Sequence, residues 1–231
     1  MYTARLAEAL PELRERMAGA ALAGGRDPRE VRLVAVTKGH PLEALEAALE
    51  AGIRDLGENR VEDLEAKQGV LGRERATWHM IGHVQSRKAA RAASAAHLIH
   101  SVDSLHLAEK LSRAGTERGS DVRVLVQVNT SGEGSKTGLT APGAVEEVLR
   151  LASLPHLRVE GLMTMAPFVD DARVLTSSFR RLRETLEEVR RHDPRVGPEL
   201  SMGMTNDFEI AIREGSTMIR IGTALFGERD R

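Results

Sequence analysis

A chain of 231 residues is long enough for one large domain or two small ones. Hydrophobic residues make up 41% and charged residues 29%, as in ordinary globular proteins, and the net charge of −1 gives no electrostatic case for binding nucleic acid or an anionic membrane. The absence of cysteine excludes disulfides, thiolate catalysis and cysteine-bound metals. No signal peptide or membrane-spanning apolar run is visible, so we expect a cytoplasmic protein.

The first segment of the chain has a helical pattern. Leu6, Leu10 and Leu13 recur at helical spacing, which predicts an amphipathic helix over about residues 3–22. Pro11 falls inside this pattern, so the helix is expected either to kink or to begin there.

After residue 30, apolar strand patterns alternate with helical patterns eight times. The predicted strands cover residues 33–37, 53–57, 78–81, 97–102, 122–128, 157–163, 200–202 and 218–221. Alternating strands and helices imply a parallel sheet, and eight repeats imply closure into a barrel. We therefore predict a single (β/α)₈ barrel over about residues 31–227 with an extra N-terminal helix, as one domain spanning residues 1–231.

An open doubly wound sheet is the structural alternative. It would normally carry Gly-x-Gly-x-x-Gly after the first strand. This sequence instead reads Thr37-Lys38-Gly39-His40 there, so the cofactor loop of that fold is missing. The carboxyl ends of barrel strands are where chemistry is located, so Lys38 is expected to project into the barrel mouth. A lysine that merely extends to water is the alternative.

Polar residues also follow the second and third predicted strands. Asn59 could reach a ligand from the barrel mouth, or it could cap the next helix. His79 and His83 suggest a metal site, but strand residues at that separation point in different directions and no acidic partner follows. Packed or loop histidines are therefore the preferred interpretation.

The loop over residues 129–138 superficially resembles a nucleotide-binding P-loop. Ser135 stands where that motif requires a glycine before its lysine, Lys136, so a P-loop nucleotidase is not expected. The loop is long for a connection of this kind, and it could either cover the site or simply project from the surface.

Glycine-containing turns follow the last two predicted strands. One contains Ser201 and Gly203, and the other contains Gly222 and Thr223. Glycines let the backbone approach an anion, and exposed N–H groups with nearby hydroxyls can hold a phosphate. Barrels often bind phosphate after strands seven and eight, so these turns predict a phosphate site. Ordinary turn chemistry is the alternative.

A lysine and a phosphate site that face each other across a barrel suggest pyridoxal phosphate (PLP), bound through its aldehyde as a lysine imine. Several motifs support this interpretation, in matching order and spacing from about residue 31 to 227. They are Val-Ala-Val-Thr-Lys38, Gly57-Glu58-Asn59, His79-Met80-Ile81-Gly82, Gly161-Leu162-Met163, Leu200-Ser201-Met202-Gly203-Met204 and Ile219-Arg220-Ile221-Gly222-Thr223. Together they resemble the PLP homeostasis protein family.

The resemblance implies a barrel like that of alanine racemases and ornithine decarboxylases, and residue roles follow from it. Lys38 would carry the cofactor, and Asn59 lies in a motif that lines the same pocket. Ser201, Gly203, Gly222 and Thr223 match the phosphate-binding segments, and Arg220 matches the residue that approaches the pyridine nitrogen. One departure is Arg87, where many relatives carry asparagine, and this leaves the role of residues 85–88 open.

The resemblance also implies storage or delivery of PLP without evident turnover, with PLP-dependent apoenzymes as candidate recipients. Related racemases use a tyrosine opposite the lysine, whereas the only tyrosine here, Tyr2, precedes the barrel. The permanently charged guanidinium of Arg220 disfavours protonation of the pyridine nitrogen and so weakens carbanion chemistry. We therefore assign no catalytic residue and no metal site, and we expect a monomer with no nucleic-acid or membrane partner.

Two alternatives stay open. One is a PLP-dependent enzyme acting on amino acids, such as a racemase or decarboxylase with a single base. The other is a barrel that binds a different phosphorylated metabolite without an imine, in which Lys38 would supply only a charge.

Overall fold

The computed structural model describes residues 1–131, 137–140 and 143–228. Within these ranges the strands are β1 (Arg32–Val36), β2 (Asp55–Glu58), β3 (Thr77–Met80), β4 (Leu98–Val102), β5 (Val122–Asn129), β6 (Leu139–Thr140), β7 (Leu157–Met163), β8 (Glu199–Ser201) and β9 (Met218–Ile221). The helices are α1 (Tyr2–Ala23), α2 (Leu42–Glu50), α3 (Val61–Leu71), α4 (Ala89–Ala95), α5 (Leu105–Arg118), α6 (Ala144–Ala152), α7 (Ala172–His192), α8 (Phe208–Arg213) and α9 (Thr223–Phe226). Short 3₁₀ turns occur at Pro28–Glu30, Arg73–Arg75 and Ser86–Lys88.

The sheet is a closed parallel barrel. Strands β1 to β5 pair in sequence order, β5 pairs with β7, and β7, β8 and β9 lead back to β1. The two-residue β6 pairs with β5 beside the barrel and is not part of the ring. The predicted (β/α)₈ barrel with an N-terminal helix is confirmed.

The strands bury both of their faces. Toward the helices they contribute to one large apolar core, which includes Trp78 and Leu56. Inside the ring a separate apolar cluster is formed by Val34, Leu98, Leu125, Met163 and Met218. Burial on both sides explains why β1 is an apolar run from Leu33 to Val36 rather than an alternating pattern.

Helix α1 continues through Pro11, so it does not begin there. Leu6, Leu10 and Leu13 share one buried face on both sides of the proline, whose own side chain is exposed. Burying each leucine stabilises by roughly 1.5–3 kcal/mol. Together they outweigh the ~3 kcal/mol cost of an interior proline. No helix in the described ranges is both long enough and apolar enough to span a membrane.

Candidate functional site

A cavity of about 360 Å³ opens at the carboxyl ends of the barrel strands. The sequence-predicted site residues that line it are Lys38, Asn59, Arg220, Gly222 and Thr223. These residues follow, or lie in, strands β1, β2 and β9, and the ring brings them together because all of its strands run in the same direction. Ser201 and Gly203 are not part of the cavity lining but lie against residues that are.

Lys38 stands at the end of β1, where the preceding residue is firmly anchored. The N–H of Thr37 donates to the Gly57 carbonyl at 3.0 Å, and its hydroxyl donates to Oε1 of Glu58 at 2.5 Å. From helix α3, the ammonium of Lys67 donates to the Thr37 carbonyl at 2.8 Å and to Oε1 of Glu58 at 2.6 Å. The Glu58 side chain is fully buried, and its Oε2 has no hydrogen-bond partner in the described part of the chain. This buried ion pair holds the backbone from which Lys38 projects.

Asn59 enters the cavity from the end of β2. The helix-capping alternative is wrong, because the N-terminal cap of α3 is Arg60 and no side chain caps it. Asn59 instead packs on Gly82, where an added Cβ would lie 2.3 Å from the Asn59 carbonyl oxygen. Glycine at position 82 therefore allows the ends of β2 and β3 to meet beside the cavity.

Arg220 supplies a buried cation to the cavity wall. One terminal nitrogen donates to the Ser201 hydroxyl oxygen at 2.6 Å, and the other donates to the Thr164 carbonyl at 3.0 Å. Burial lowers the pKa of the Arg220 guanidinium to about 10, and the carboxylate of Asp207 opposes this shift. The side chain is therefore charged at neutral pH. Ser201, predicted to contact a phosphate, contacts this arginine in the structure.

The turn that follows β8 has less capacity for an anion than its sequence suggests. Gly203 has a φ of +98°, and an added Cβ would lie 2.7 Å from the Ala211 side chain and 2.9 Å from the Phe208 backbone. This glycine is therefore required by the packing of helix α8. The N–H of Met204 is already bonded to Oδ1 of Asp207 at 2.6 Å, and burial raises the pKa of that carboxyl. Of the two turns, Met204, Thr205, Gly222 and Thr223 line the cavity.

The two histidines near β3 have different environments. His79 is buried inside the barrel, whereas His83 lines the cavity with Nδ1 3.2 Å from Oδ2 of Asp103. Among the described residues, no cluster of three or more histidine and carboxylate side chains could hold a metal ion. Arg87, on the segment whose role was left open, bonds to Gln85 at 3.0 Å and does not contribute to the cavity lining.

Sequence reasoning missed a group of aromatic residues beside the cavity. His40 lines the cavity and is buried, its Nδ1 lies 3.4 Å from the Tyr2 hydroxyl, and its ring centre lies 5.1 Å from that of Phe226. Tyr2 precedes the barrel in the sequence, but the structure places it directly behind a cavity residue. The expectation that the only tyrosine is remote from the site is therefore corrected. The length of α1 is the one sequence signal for this contact, since its 22 residues span roughly 33 Å, enough to run from the foot of a barrel to its mouth.

The loop over residues 129–138 lies partly outside the described residues, including Lys136. Of its described part, Thr137 lines the cavity, and its carbonyl and hydroxyl oxygens accept hydrogen bonds from Gln127 at 3.0 and 2.9 Å. This end of the loop is therefore held at the site by β5.

Comparison with known proteins adds to this geometry. Residues 4–230 match the family model "Alanine racemase, N-terminal domain". The PLP homeostasis protein of Pseudomonas aeruginosa is 40% identical over 97% of this chain and 96% of its own length, and that of Aquifex aeolicus is 36% identical over 96% and 97%. The chain belongs to the PLP homeostasis protein family.

Solved structures agree with this family membership. PipY of Synechococcus elongatus with PLP bound is 38% identical to the chain, with a TM-score of 0.81 over 93% of this chain and 99% of PipY. The PLP-free form of PipY gives a TM-score of 0.85. An alanine racemase of Clostridium difficile is 15% identical, with a TM-score of 0.74 over 94% of this chain and 56% of the racemase. At that identity, the racemase shows only that the barrel fold is shared.

Proposed function

We propose that this protein binds PLP in the cavity at the barrel mouth, holds it as an imine of Lys38, and stores or delivers it within the cell. The observation that carries the proposal is that Lys38 and the buried Arg220 line one cavity. The PLP-bound structure of PipY, 38% identical over nearly the whole chain, supports the same ligand.

The residues present fit this cofactor. When bound, PLP supplies an aldehyde that condenses reversibly with amines. Lys38 would provide the amine, Arg220 would present a donor-only cation to the pyridine nitrogen, and Asn59 would line the same pocket from β2. Thr205, Gly222 and Thr223 provide hydroxyls and backbone for the phosphate.

Variants of Lys38 test the imine. An imine requires the neutral amine, whereas a free lysine, with a pKa of about 10.4, is mostly charged at neutral pH. The wild-type protein incubated with PLP should show the imine absorbance band and, after borohydride reduction, a PLP adduct on Lys38 by peptide mass spectrometry. Lys38→Ala should lose both, while Lys110→Ala, at an exposed lysine on α5, should lose neither. An adduct on another lysine would contradict the assignment, and a bound phosphorylated ligand without the band would favour the non-imine alternative.

Delivery has its own test. PLP-loaded protein, freed of excess ligand by gel filtration, should reactivate a PLP-dependent apoenzyme. The PLP-loaded Lys38→Ala variant has no imine to exchange with the recipient's lysine. It should therefore release PLP at a rate different from that of the wild-type protein. Failure of the loaded wild-type protein to reactivate any apoenzyme would contradict delivery, leaving storage.

A PLP-dependent enzyme acting on amino acids is the second candidate. The observation that favours it is His83, which lines the cavity with its Nδ1 oriented by Asp103. A histidine oriented in this way can serve as a general acid or base.

A further inference from the structure

A row of buried polar side chains runs through the inside of the barrel, from the cavity to the opposite end. It begins at Arg220, which donates to the Ser201 hydroxyl oxygen at 2.6 Å. The Ser201 hydroxyl lies 2.9 Å from Nδ1 of His100, and Nε2 of His100 lies 2.8 Å from Nδ1 of His79. Nε2 of His79 then lies 2.9 Å from Oδ1 of Asp55, the first residue of β2. Ser201, His100 and His79 are completely buried or nearly so, whereas the Asp55 side chain is 21% exposed.

The chemistry of the two ends fixes the direction of every bond in the row. Arg220 can only donate, so the Ser201 oxygen accepts from it and the serine hydrogen is left to point at His100. At the other end, the Asp55 carboxylate can only accept, so His79 must carry its proton on Nε2. Nδ1 of His79 is then an acceptor, and it accepts a hydrogen bond from the N–H at Nε2 of His100. Each atom in the row has a partner only when both imidazoles are neutral and protonated on Nε2.

If the hydrogen bonds of this row ran in the opposite direction, some of its polar groups would have no partner. With its proton on Nδ1, His100 would donate to Ser201, and the serine hydrogen would have no acceptor among the described residues. His79 would then direct a bare nitrogen at the Asp55 carboxylate. Buried unsatisfied groups are costly, so the row has one stable arrangement.

The surrounding charges act in the same sense. Burial holds the pKa of His100 well below its usual range, and His79, Arg220 and Arg32 each add to this effect. A neutral His100 is therefore favoured by its whole environment. Arg32, on β1, is itself paired with Glu199 of β8 and so is not available as a partner for the imidazoles.

We propose that Asp55 is a positioning residue for the cavity: through the protons of His79 and His100 it holds Ser201 as the acceptor that fixes the Arg220 guanidinium. Asp55 lies at the end of the barrel opposite the site and does not line the cavity. Its effect on the ligand is indirect and depends on an uninterrupted row. The part that concerns PLP rests on the proposed function, whereas the proton positions do not.

Nitrogen-15 spectra of the histidine side chains in the PLP-free protein test the row itself. At neutral pH, His79 and His100 should both show neutral rings protonated on Nε2. Assignment uses single histidine replacements among the eight histidines. A cationic ring, or a proton on Nδ1 of either residue, would overturn the proposal whether or not the protein binds PLP.

Variants at Asp55 test the link to the cavity. Asp55→Leu removes the acceptor for Nε2 of His79, and leucine is large enough to exclude a water that could replace the carboxylate. The nitrogen shifts of His100 should therefore change. PLP affinity should fall by about tenfold, equivalent to the ~1.4 kcal/mol that one hydrogen bond can contribute. Asp55→Asn keeps an acceptor oxygen and should retain the wild-type spectra and affinity.

The matched control is Asp121→Asn, at an exposed carboxylate that bonds to His156 at 3.3 Å outside the barrel. It should change neither PLP affinity nor the shifts of His79 and His100. If Asp55→Leu does not fold, Ser201→Ala cuts the row at the cavity end and should weaken PLP binding to a similar extent. Unchanged His100 shifts and unchanged affinity in the variant that folds would overturn the proposal. Failure of the wild-type protein to bind PLP would remove only the proposed function, since the spectra would still decide the proton positions.

Discussion

Gly203 and Gly222 belong to neighbouring turns at the cavity, but a side chain would meet different obstacles at each. At Gly222 an added Cβ would lie 3.3 Å from Cβ and the carbonyl oxygen of Val36, and the φ of −120° is negative, as in most L-residues. At Gly203 the positive φ and the contact with helix α8 both oppose a side chain. The first glycine therefore serves the cavity, and the second serves the fold.

Alanine replacements should separate these two roles. Gly222→Ala should keep the melting temperature of the PLP-free protein near the wild-type value and increase the dissociation constant for PLP. Gly203→Ala should lower the melting temperature, because the strained backbone alone costs of order 1–3 kcal/mol. Gly25→Ala is the control, since Gly25 has a φ of +69° with nothing within 4 Å of an added Cβ. It keeps the backbone strain without the contact with α8, so it should lower the melting temperature less than Gly203→Ala does and leave PLP binding unchanged. Equal melting temperatures for the variants at Gly203 and Gly25 would contradict the packing role.

At the residue scale, the sequence predicted which residue types gather at the strand ends but not their partners. Lys38 could be anticipated because strand ends converge in a barrel, whereas Arg220 was anticipated only from the family resemblance. The partner of Ser201 could not, because the arginine and His100 that bond to it lie 19 and 101 residues away. Interpreting its hydroxyl as a phosphate ligand was reasonable for a turn, but the inside of the barrel offers a nearer partner. The site roles themselves stay predictions.

At the element scale, the end of β1 is held by helix α3 through the pair of Glu58 and Lys67. The Glu58 side chain is fully buried and that of Lys67 is 14% exposed. Removing one member of a buried ion pair leaves an uncompensated charge, which is far more destabilising than removing the whole pair. The anchor of the segment that carries Lys38 therefore depends on both members.

Lys67→Met should lower the free energy of unfolding by about 3 kcal/mol, measured by urea denaturation. It should also weaken PLP retention, because the Thr37 carbonyl loses the ammonium that donates to it. The double variant Glu58→Leu with Lys67→Met should recover part of the stability. Lys88→Met is the matched control, because Lys88 pairs with Glu62 on the surface of α3 at 2.9 Å. It should cost less than about 1 kcal/mol. Similar losses for both lysines would show that the buried pair is not an anchor.

The strands and helices themselves were largely predictable from periodicity. The predicted strand over residues 157–163 matches β7 residue for residue. The alternative that the first helix begins at Pro11 was wrong, because a local rule about proline could not weigh the leucines buried on both sides of it. The short β6 was missed, since two residues carry no periodic signal.

At the scale of the whole molecule, the two terminal helices meet at the cavity. Tyr2 of α1 and Phe226 of α9 both contact His40, so the cavity wall is built from the barrel and from both ends of the described chain. Closure of eight units into a ring was predictable from their number. The path of α1 back to the mouth was not, because nothing local in the sequence says where an added helix will dock.

Proton exchange at Cα tests what the assembled cavity does to an amino acid. A racemase needs acid–base groups on both faces of its substrate, within hydrogen-bond reach. Lys38 can serve one face, and Arg220 does little to stabilise a carbanion, so we expect negligible deuterium at Cα of alanine or serine after incubation with PLP-loaded protein in deuterated water. Incorporation at ordinary enzyme rates, lost in both Lys38→Ala and His83→Ala but kept in His106→Ala, would favour the enzyme instead. Tyr2→Phe would show whether the hydroxyl behind His40 takes part.

The polar row inside the barrel also bears on how the ring selects its strand pairing. Apolar neighbours such as Leu98 and Leu125 tolerate several alignments, but a slip of one residue in β4 would exchange His100 for Ile99 on the inner face. Such a slip would leave both the Ser201 hydroxyl and His79 without His100 as their hydrogen-bond partner. Pairing between distant strands is the slow part of forming such a fold. The two imidazoles therefore help to specify the strand register, because a misaligned barrel that apolar packing alone would tolerate would lose their hydrogen bonds.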